Sequence, residues 1–465
     1  MKAVIYLTLA SLTLASRAPV INQEQQHHHQ QPLLVSSSSS ETISVNHHPH
    51  SLPKPQPLPS LREQAKIQDE WTAARMSNIP NILKKYNVDA WLISQKEYAE
   101  DTTFWSLKSS TEFSARRRTT ILFLAHNLTH PVIKYVDNTP SLWPALNKIL
   151  KEQQHSLKRI AVNNHPEIAF ASGLHAGEYD LVKTGLSDSV KTKLVTEPMV
   201  AVEYVATMPS CHSRKGWYKR LQETAWSVIH EAFSESVIEP GKTTTEDVEW
   251  WMRERLQELK YGTWFQPSVT IVDEKGFFGP DDNKNVIQYG DLLHVDFGVT
   301  ALGMNTDTQH LGYVLRPGEK DVPEGLREGL KKGNKAQDIV KGNMKIGKTG
   351  NEILKKSLDD MKKAGIRGRV YSHPIGDWGH SAGTLIGMTN LQDGVPVLGD
   401  IPLLPHMYYS VELMVEHFVP ERNVTLQFPL EEDIVHFGGN EWEWAYGRQE
   451  RFHVVRSKGS RDDEL

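Results

Sequence analysis

The sequence predicts an α+β region preceded by a smaller α/β region, and three observations carry that prediction. Between residues 61 and 212, short β-rich apolar runs alternate with helical stretches. Between residues 213 and 457, helical stretches are interleaved with paired strand patterns instead. Within the second region, Asp296 ends an apolar run, Gly298 and Gly303 mark a turn, and Asp307 follows eleven residues after Asp296. That is the pattern of a hairpin whose two strands aim one carboxylate each at a common point.

Taken in order, the chain opens with Met1, Lys2, a largely apolar stretch from Ala3 to Leu14, and the small pair Ala15 and Ser16. Residues 1–16 thus have the form of a secretory signal peptide, with an apolar core too short to span a bilayer. Residues 17–60 are low in complexity, with His27 to His29, Ser36 to Ser40 and the prolines Pro53, Pro55, Pro57 and Pro59. Such a composition buries too little apolar surface to fold, so a disordered His/Gln/Ser/Pro-rich linker is expected rather than a metal scavenger.

The α/β region, residues 61–212, starts with a charged helical stretch from Glu63 to Lys85. Strands follow at Asp89 to Ser94, Arg118 to Leu124, Val132 to Val136 and Arg159 to Asn163, with a helix at Trp143 to Lys151. The charged segments Glu97 to Asp101 and Ser114 to Arg118 are read as a solvated surface with local ion pairs, or as a face turned toward a neighbouring site. Cys211 is the single cysteine, so no intramolecular disulfide exists, and it is expected to be small, buried and apolar in role.

In the second region, helices are expected at Lys215 to Val237 and Thr244 to Tyr261, broken at Pro240 and Gly241. Trp217, Trp226, Trp250 and Trp251 fall on or near their apolar faces and are assigned to the core. A strand at Ser268 to Val272 and a loop from Phe277 to Asn285 lead to the acidic hairpin. Helices at Pro323 to Val340 and Asn351 to Ala364 precede a segment containing His373. The tail, residues 458–465, ends Asp462-Asp463-Glu464-Leu465. This is similar to the tetrapeptides read by the retrieval receptor of the endoplasmic reticulum. Together with the leader it predicts residence in the lumen of that compartment, with secretion as the alternative. Two sequons, Asn127 to Thr129 and Asn423 to Thr425, would be usable there.

Composition excludes other classes. The 465 residues carry a net charge of −5 with 23% charged side chains, and the basic residues are spread out, so no nucleic-acid footprint is present. No run reaches the length of a membrane-spanning helix, so no membrane insertion is expected.

Five metal-ligand-type residues occur in order on apolar, strand-like segments: Asp296, Asp307, His373, Glu412 and Glu431. Any one of them alone is more often a capped turn or a satisfied core residue. An unpaired charge on an apolar strand is costly, and four carboxylates converging would repel one another unless a cation were present. Oxygen-rich ligands with one imidazole suit Mn²⁺, Co²⁺ or Zn²⁺, and paired carboxylates that can bridge favour two ions.

The order resembles that of the methionine aminopeptidase, aminopeptidase P and prolidase superfamily of metallopeptidases, which share the pita-bread fold. His373 is followed by His380 at the spacing of the family's substrate-side histidine. The segments Tyr408 to Glu412 and Glu431 to Val435 resemble those bearing its two glutamate ligands. The resemblance covers residues 213–457 and extends more weakly over 61–212, which looks like the amino-terminal domain of aminopeptidase P and prolidase. It implies that Asp296 chelates one ion, that Asp307 and Glu431 bridge both, and that His373 and Glu412 complete the ligand set of the second ion. Two such ions, about 3.5–4 Å apart, acidify a water and polarise the scissile carbonyl. Glu412 would move the proton and His380 would hydrogen-bond the substrate.

Two positions depart from the family. Another substrate-side histidine, about seventeen residues before the first aspartate, is replaced here by Gly279, and the arginine before the last glutamate is missing from Gln427 to Glu431. Metal-dependent hydrolysis is therefore more firmly implied than specificity for proline, and His294 or His310 could substitute for the missing histidine.

The resulting expectation is a dinuclear aminopeptidase-like hydrolase, a metallopeptidase releasing the amino-terminal residue of X-Pro peptides. Two divalent ions are expected, Mn²⁺ first and Zn²⁺ or Co²⁺ as alternatives, with a peptide substrate. A homodimer is implied by the resemblance, and the retrieval receptor by the tail. The rival readings are an X-Pro dipeptidase of prolidase type and a noncatalytic peptide-binding or chaperone-like module on the same fold.

Overall fold

The computed structural model describes residues 52–126, 132–153, 157–208, 211–276, 285–439 and 441–456. The signal-like segment, most of the linker, the first sequon, the loop containing Gly279 and the acidic tail lie outside the described residues. The last residues of the linker, from Leu52 to Ser60, are described: Gln56 donates its N–H to Thr224 Oγ1 at 3.0 Å and its side chain to Glu223 Oε2 at 2.9 Å. That end of the segment is therefore seated against a helix of the second region, because its backbone finds partners that composition cannot reveal.

The first sheet holds five strands: β1 (Ala90–Lys96), β2 (Arg118–Leu124), β3 (Val132–Val136), β4 (Ile160–Val162) and β5 (Leu194–Thr196). Their order is β3-β2-β1-β4-β5, antiparallel through the first three and parallel thereafter. β1 is central and buried over its first six residues, which is why it reads as a continuous apolar run, and Trp91 stacks on Phe123 with ring centroids 5.4 Å apart. β5, Leu194–Thr196, is only three residues long, too short to be recognised from its sequence.

The helical stretch at 63–85 is in fact two helices, Leu61–Ser77 and Ile79–Lys85, joined at Asn78. Pro80 sits in the first turn of the second, where its missing N–H costs nothing. The first is started by a capping box between Ser60 and Glu63. It packs Trp71 into the second region, where the indole donates to Ser213 Oγ at 2.9 Å.

The second region is α+β, as its pattern predicts. Two helices, His212–Ala232 and Thr245–Leu259, precede β6 (Ser268–Ile271) and β7 (Leu292–Phe297). A tight pair, β8 (Thr300–Ala301) and β9 (Met304–Asn305), turns the chain through Leu302 and Gly303, both at positive φ, into β10 (Thr308–Val314). Helices Glu324–Asn343 and Gly350–Lys363 come next. They are followed by β11 (Arg367–Val370), β12 (His373–Ile375), β13 (Tyr408–Val419), β14 (Val424–Val435), β15 (Glu443–Trp444) and β16 (His453–Val455). The main path of the sheet is β11-β13-β14-β10-β7-β6. Helix Glu324–Asn343 lies along β13 and β14, and helix His212–Ala232 along β7 and β10, so one face of the sheet is covered by helices. Among the described residues no helix is long and apolar enough to cross a membrane.

Two expectations about side chains need correction. Trp250 is 52% exposed rather than in the core, because its position on helix Thr245–Leu259 faces away from the sheet. Cys211 is half-buried rather than buried, with its sulfur 3.5 Å from Ser213 Oγ at the start of the next helix.

Candidate metal centre

Strand register assembles the site. Asp296 on β7 is paired with Gln309 on β10, Gln309 with Glu431 on β14, and Glu431 with Glu412 on β13. Because side chains alternate along a strand, residues paired in this way project on one face, and these four form a row across four adjacent strands. A second row lies two residues along: His373 pairs with Ser410, and Ser410 with Asp433. Asp307, just before β10, joins it by donating its N–H to Asp433 Oδ2 at 3.0 Å. Gly298 makes the approach to Asp307 feasible, since a Cβ there would stand 2.0 Å from the Thr306 carbonyl oxygen.

Asp307, His373 and Glu431 each present a ligand atom within 4.8 Å of the others, and all three are buried. His373 Nε2 is 3.7 Å from Asp307 Oδ2 and 3.3 Å from Glu431 Oε1. Its Nδ1 faces the Pro374 carbonyl oxygen at 3.0 Å, which fixes the ring so that Nε2 points to the carboxylates. Ser410 Oγ donates to Glu431 Oε1 at 2.5 Å. Asp296 and Glu412, both half-buried, flank this trio at the two ends of the row and are not within it.

The electrostatics call for a cation. Burial pushes the carboxyls of Asp296, Asp307 and Glu412 well above the ordinary range, and the nearby Glu431 raises each further. Burial also raises Asp433. The buried Asp296 Oδ1 has no hydrogen-bond partner. A hard or borderline divalent ion would satisfy that atom and relieve the repulsion, so the residues present fit such an ion.

His380 lies at the rim. It is exposed, and its ring meets that of His373 edge-on with centroids 4.8 Å apart and that of Trp264 at 5.2 Å. Partial burial lowers its pKa, and His373 lowers it further. Gly379 is required beside it, because a Cβ there would stand 2.2 Å from the Trp264 ring. The loop bearing His380 is held from both regions: Asp377 accepts from Arg75 of the amino-terminal region and from Arg214 of helix His212–Ala232, and Trp378 meets Phe170 of the amino-terminal region with centroids 5.7 Å apart.

Three features of the site escaped sequence reasoning. Gln309 stands in the first row and donates to Glu412 Oε1 at 2.8 Å and Glu431 Oε2 at 2.7 Å. Tyr371 faces the carboxylates, and its pKa is raised by burial first and then by Glu412, Glu431 and Asp307. Asp433 braces the Asp307 backbone and the Tyr218 hydroxyl. Strand alternation from Glu431 could have found Asp433, whereas Gln309 and Tyr371 carry no motif.

His294 is on the face of Asp296, but its Nε2 meets Gln309 Oε1 at 2.9 Å instead of reaching outward. His310 points to the opposite face, where it is buried against Glu432 Oε1 at 2.8 Å and His453 Nε2 at 2.9 Å. Neither takes the place of the absent histidine. The charged segments of the amino-terminal region are not wholly solvated: Asp101 is buried and accepts from Asn163, and Arg118 is bonded to the buried Glu178, both partners lying about sixty residues away in the chain.

The profile of metallopeptidase family M24 matches residues 218–443. No curated protein sequence matches the chain. Among solved structures, an X-Pro aminopeptidase from Thermotoga maritima MSB8 is similar with a TM-score of 0.58 at 16% identity, covering 81% of this chain and 100% of that one. An Xaa-Pro dipeptidase from Bacillus anthracis gives 0.52 at 16% identity, covering 83% and 99%. The N-terminal domain of FACT complex subunit SPT16 from Cicer arietinum (chickpea) gives 0.53 at 12% identity, covering 86% and 100%. At such identities the likeness is one of fold. The matched residues contain Asp296, Asp307, His373, Glu412 and Glu431 and the sheet that aligns them, so the chain carries a metallopeptidase family M24 domain of the pita-bread type, preceded by an α/β region.

Proposed function

We propose that this protein is a metal-dependent aminopeptidase that releases the amino-terminal residue of X-Pro peptides. The observation that carries the reading is the pair of rows that brings Asp296, Glu412 and Glu431 beside Asp307 and His373 on one sheet face. In this reading Asp307 and Glu431 would help hold both of two divalent ions, Asp296 one of them, and His373 and Glu412 the other. Mn²⁺ is the first choice for a donor set of four carboxylates and one imidazole, ahead of Zn²⁺ and Co²⁺.

When bound, such ions lower the pKa of a water and polarise the scissile carbonyl. The remaining work falls to the protein. Glu412, half-buried where Glu431 is buried, is positioned to accept a proton and hand it to the leaving amine. His380 at the rim donates to the substrate carbonyl oxygen as charge develops on it. Arg75 and Arg214 keep the His380 loop in place through Asp377. A panel of X-Pro-X peptides and X-Pro dipeptides, with and without a chelator, tests the reading and separates aminopeptidase from dipeptidase. Absence of chelator-sensitive cleavage on the whole panel would favour the noncatalytic alternative.

The address is part of the same proposal: a lumenal protein of the endoplasmic reticulum, retained through residues 462–465. In support, Asn423 of the second sequon is exposed at the turn between β13 and β14, where a glycan would fit.

A further inference from the structure

The amide of Gln309 occupies an unusual place for a neutral side chain. It stands between Asp296 and Glu431 in the carboxylate row, and both hydrogens of its NH₂ are directed at acidic oxygens, Glu412 Oε1 at 2.8 Å and Glu431 Oε2 at 2.7 Å. An amide NH₂ has two donors, so no donor remains. Its orientation is fixed from behind. Gln309 Oε1 faces His294 Nε2 at 2.9 Å, and His294 Nδ1 faces Thr270 Oγ1 at 3.2 Å. With the Thr270 hydroxyl donating to Nδ1, Nε2 carries the ring hydrogen and Gln309 Oε1 accepts it. The opposite amide orientation would turn a carbonyl oxygen onto two carboxylates, so the network selects one orientation. Thr270, His294, Gln309 and Glu431 are buried, and Glu412 is half-buried.

The amide therefore occupies, with its two donors, oxygens of Glu412 and Glu431 that a cation would otherwise engage. Its effect on the oxygens is uneven. Glu431 Oε1 faces His373 Nε2 and Ser410 Oγ, on the side of Asp307, and is untouched by the amide. Glu431 Oε2 and Glu412 Oε1 are both engaged by it.

We infer that Gln309 is a built-in competitor for the second ion. Resting on the two-ion reading above, the inference assigns the Asp307, His373 and Glu431 Oε1 set, with Glu412 joining through the oxygen that the amide does not engage, as the position that fills without disturbing Gln309. The remaining position, which needs Asp296 together with the far oxygen of Glu431, gains full affinity only when the amide turns away. Gln309, with His294 and Thr270 behind it, thus sets how many divalent ions the centre holds at a given concentration.

The test is a calorimetric titration of Mn²⁺ into metal-free full-length protein, comparing wild type with Gln309→Met and Gln309→Ser. Methionine keeps the volume and removes both donors, and serine removes the amide altogether, so one variant serves if the other folds poorly. Wild type is expected to bind one ion tightly and a second weakly. Both variants are expected to bind the second at least about tenfold more tightly, equivalent to about 1.4 kcal/mol. Two equally tight sites in wild type, or an unchanged second constant in both folded variants, would overturn this inference alone. Failure of all three proteins to bind Mn²⁺ would overturn it together with the metal-dependent reading on which it rests.

Discussion

His373 directs Nε2 to Glu431 Oε1 at 3.3 Å across a gap that spans three strands, because β12 and β14 both pair with β13. The contact exists only through register. His373 is opposite Ser410 and Glu431 is opposite Glu412, two residues further along the same strand. A slip of one residue between β13 and β14 would send these side chains to opposite faces and dissolve the centre.

His373 and His380 should separate in their behaviour. His373→Ala removes a buried ligand and should lose metal. His380→Ala alters only the rim and should keep metal while lowering kcat by about 10² to 10³, the usual effect of removing one preorganised donor. Turnover, metal content and melting temperature on both variants decide the matter. Unchanged turnover in a metal-loaded, stable His380→Ala protein would remove this residue from the mechanism.

The raised carboxyls predict how stability follows pH. Asp296, Asp307 and Glu412 retain protons in the metal-free folded state that the unfolded chain releases above about pH 4. Protons are then bound more by the folded state, so metal-free stability contributed by these groups is present at low pH and falls as pH rises. A bound divalent ion replaces those protons. The increase in melting temperature caused by saturating Mn²⁺ should therefore grow between about pH 5 and about pH 8. An increase that stays constant over that interval would contradict this origin.

Asp377 should couple the amino-terminal region to the His380 loop. Burial alone would raise its pKa, but Arg75 and Arg214 hold it well below the usual range. Asp377→Asn leaves two buried guanidinium groups without their carboxylate and should cost about 3–5 kcal/mol at neutral pH. Because the folded pKa is depressed, this stabilisation is present above about pH 4 and disappears as pH falls through the folded value. Denaturant unfolding at neutral and acidic pH measures it. The difference between wild type and variant should shrink in acid, and a difference that is negligible at neutral pH would show that the pair contributes little.

The proposed address is tested by removing Asp462 to Leu465. The truncated protein should appear in the medium while the full chain stays inside the cell. Equal retention of both forms would rule out the tail as the signal.

Much of the site was legible because acids on apolar strands are costly and therefore informative. That cost drew attention to Asp296, Asp307, His373, Glu412 and Glu431, and the resemblance of their order to that of the metallopeptidase superfamily singled out Glu431 from the equally buried Glu432 and Asp433. The α+β class was legible for a similar reason, since β7 and β13 are long, largely buried runs. What remained hidden depends on tertiary contact. Nothing local in Gln309 distinguishes it from a surface glutamine, and its role appears only when β10 is paired with β14. Arg75 reads as an ordinary helix residue until the loop bearing Asp377 folds over it. The break at Asn78 was missed because the apolar spacing runs on through Pro80, which the first turn of a new helix tolerates.

The central claim is that these buried acids and His373 form a metal centre, and metal content tests it most directly. Elemental analysis of purified wild type and Glu431→Gln should find divalent metal in wild type and a marked loss in the variant, with the variant still folded by circular dichroism. A metal-free wild type after growth and titration with Mn²⁺, Zn²⁺ and Co²⁺, or a Glu431→Gln protein that holds as much metal as wild type, would contradict it.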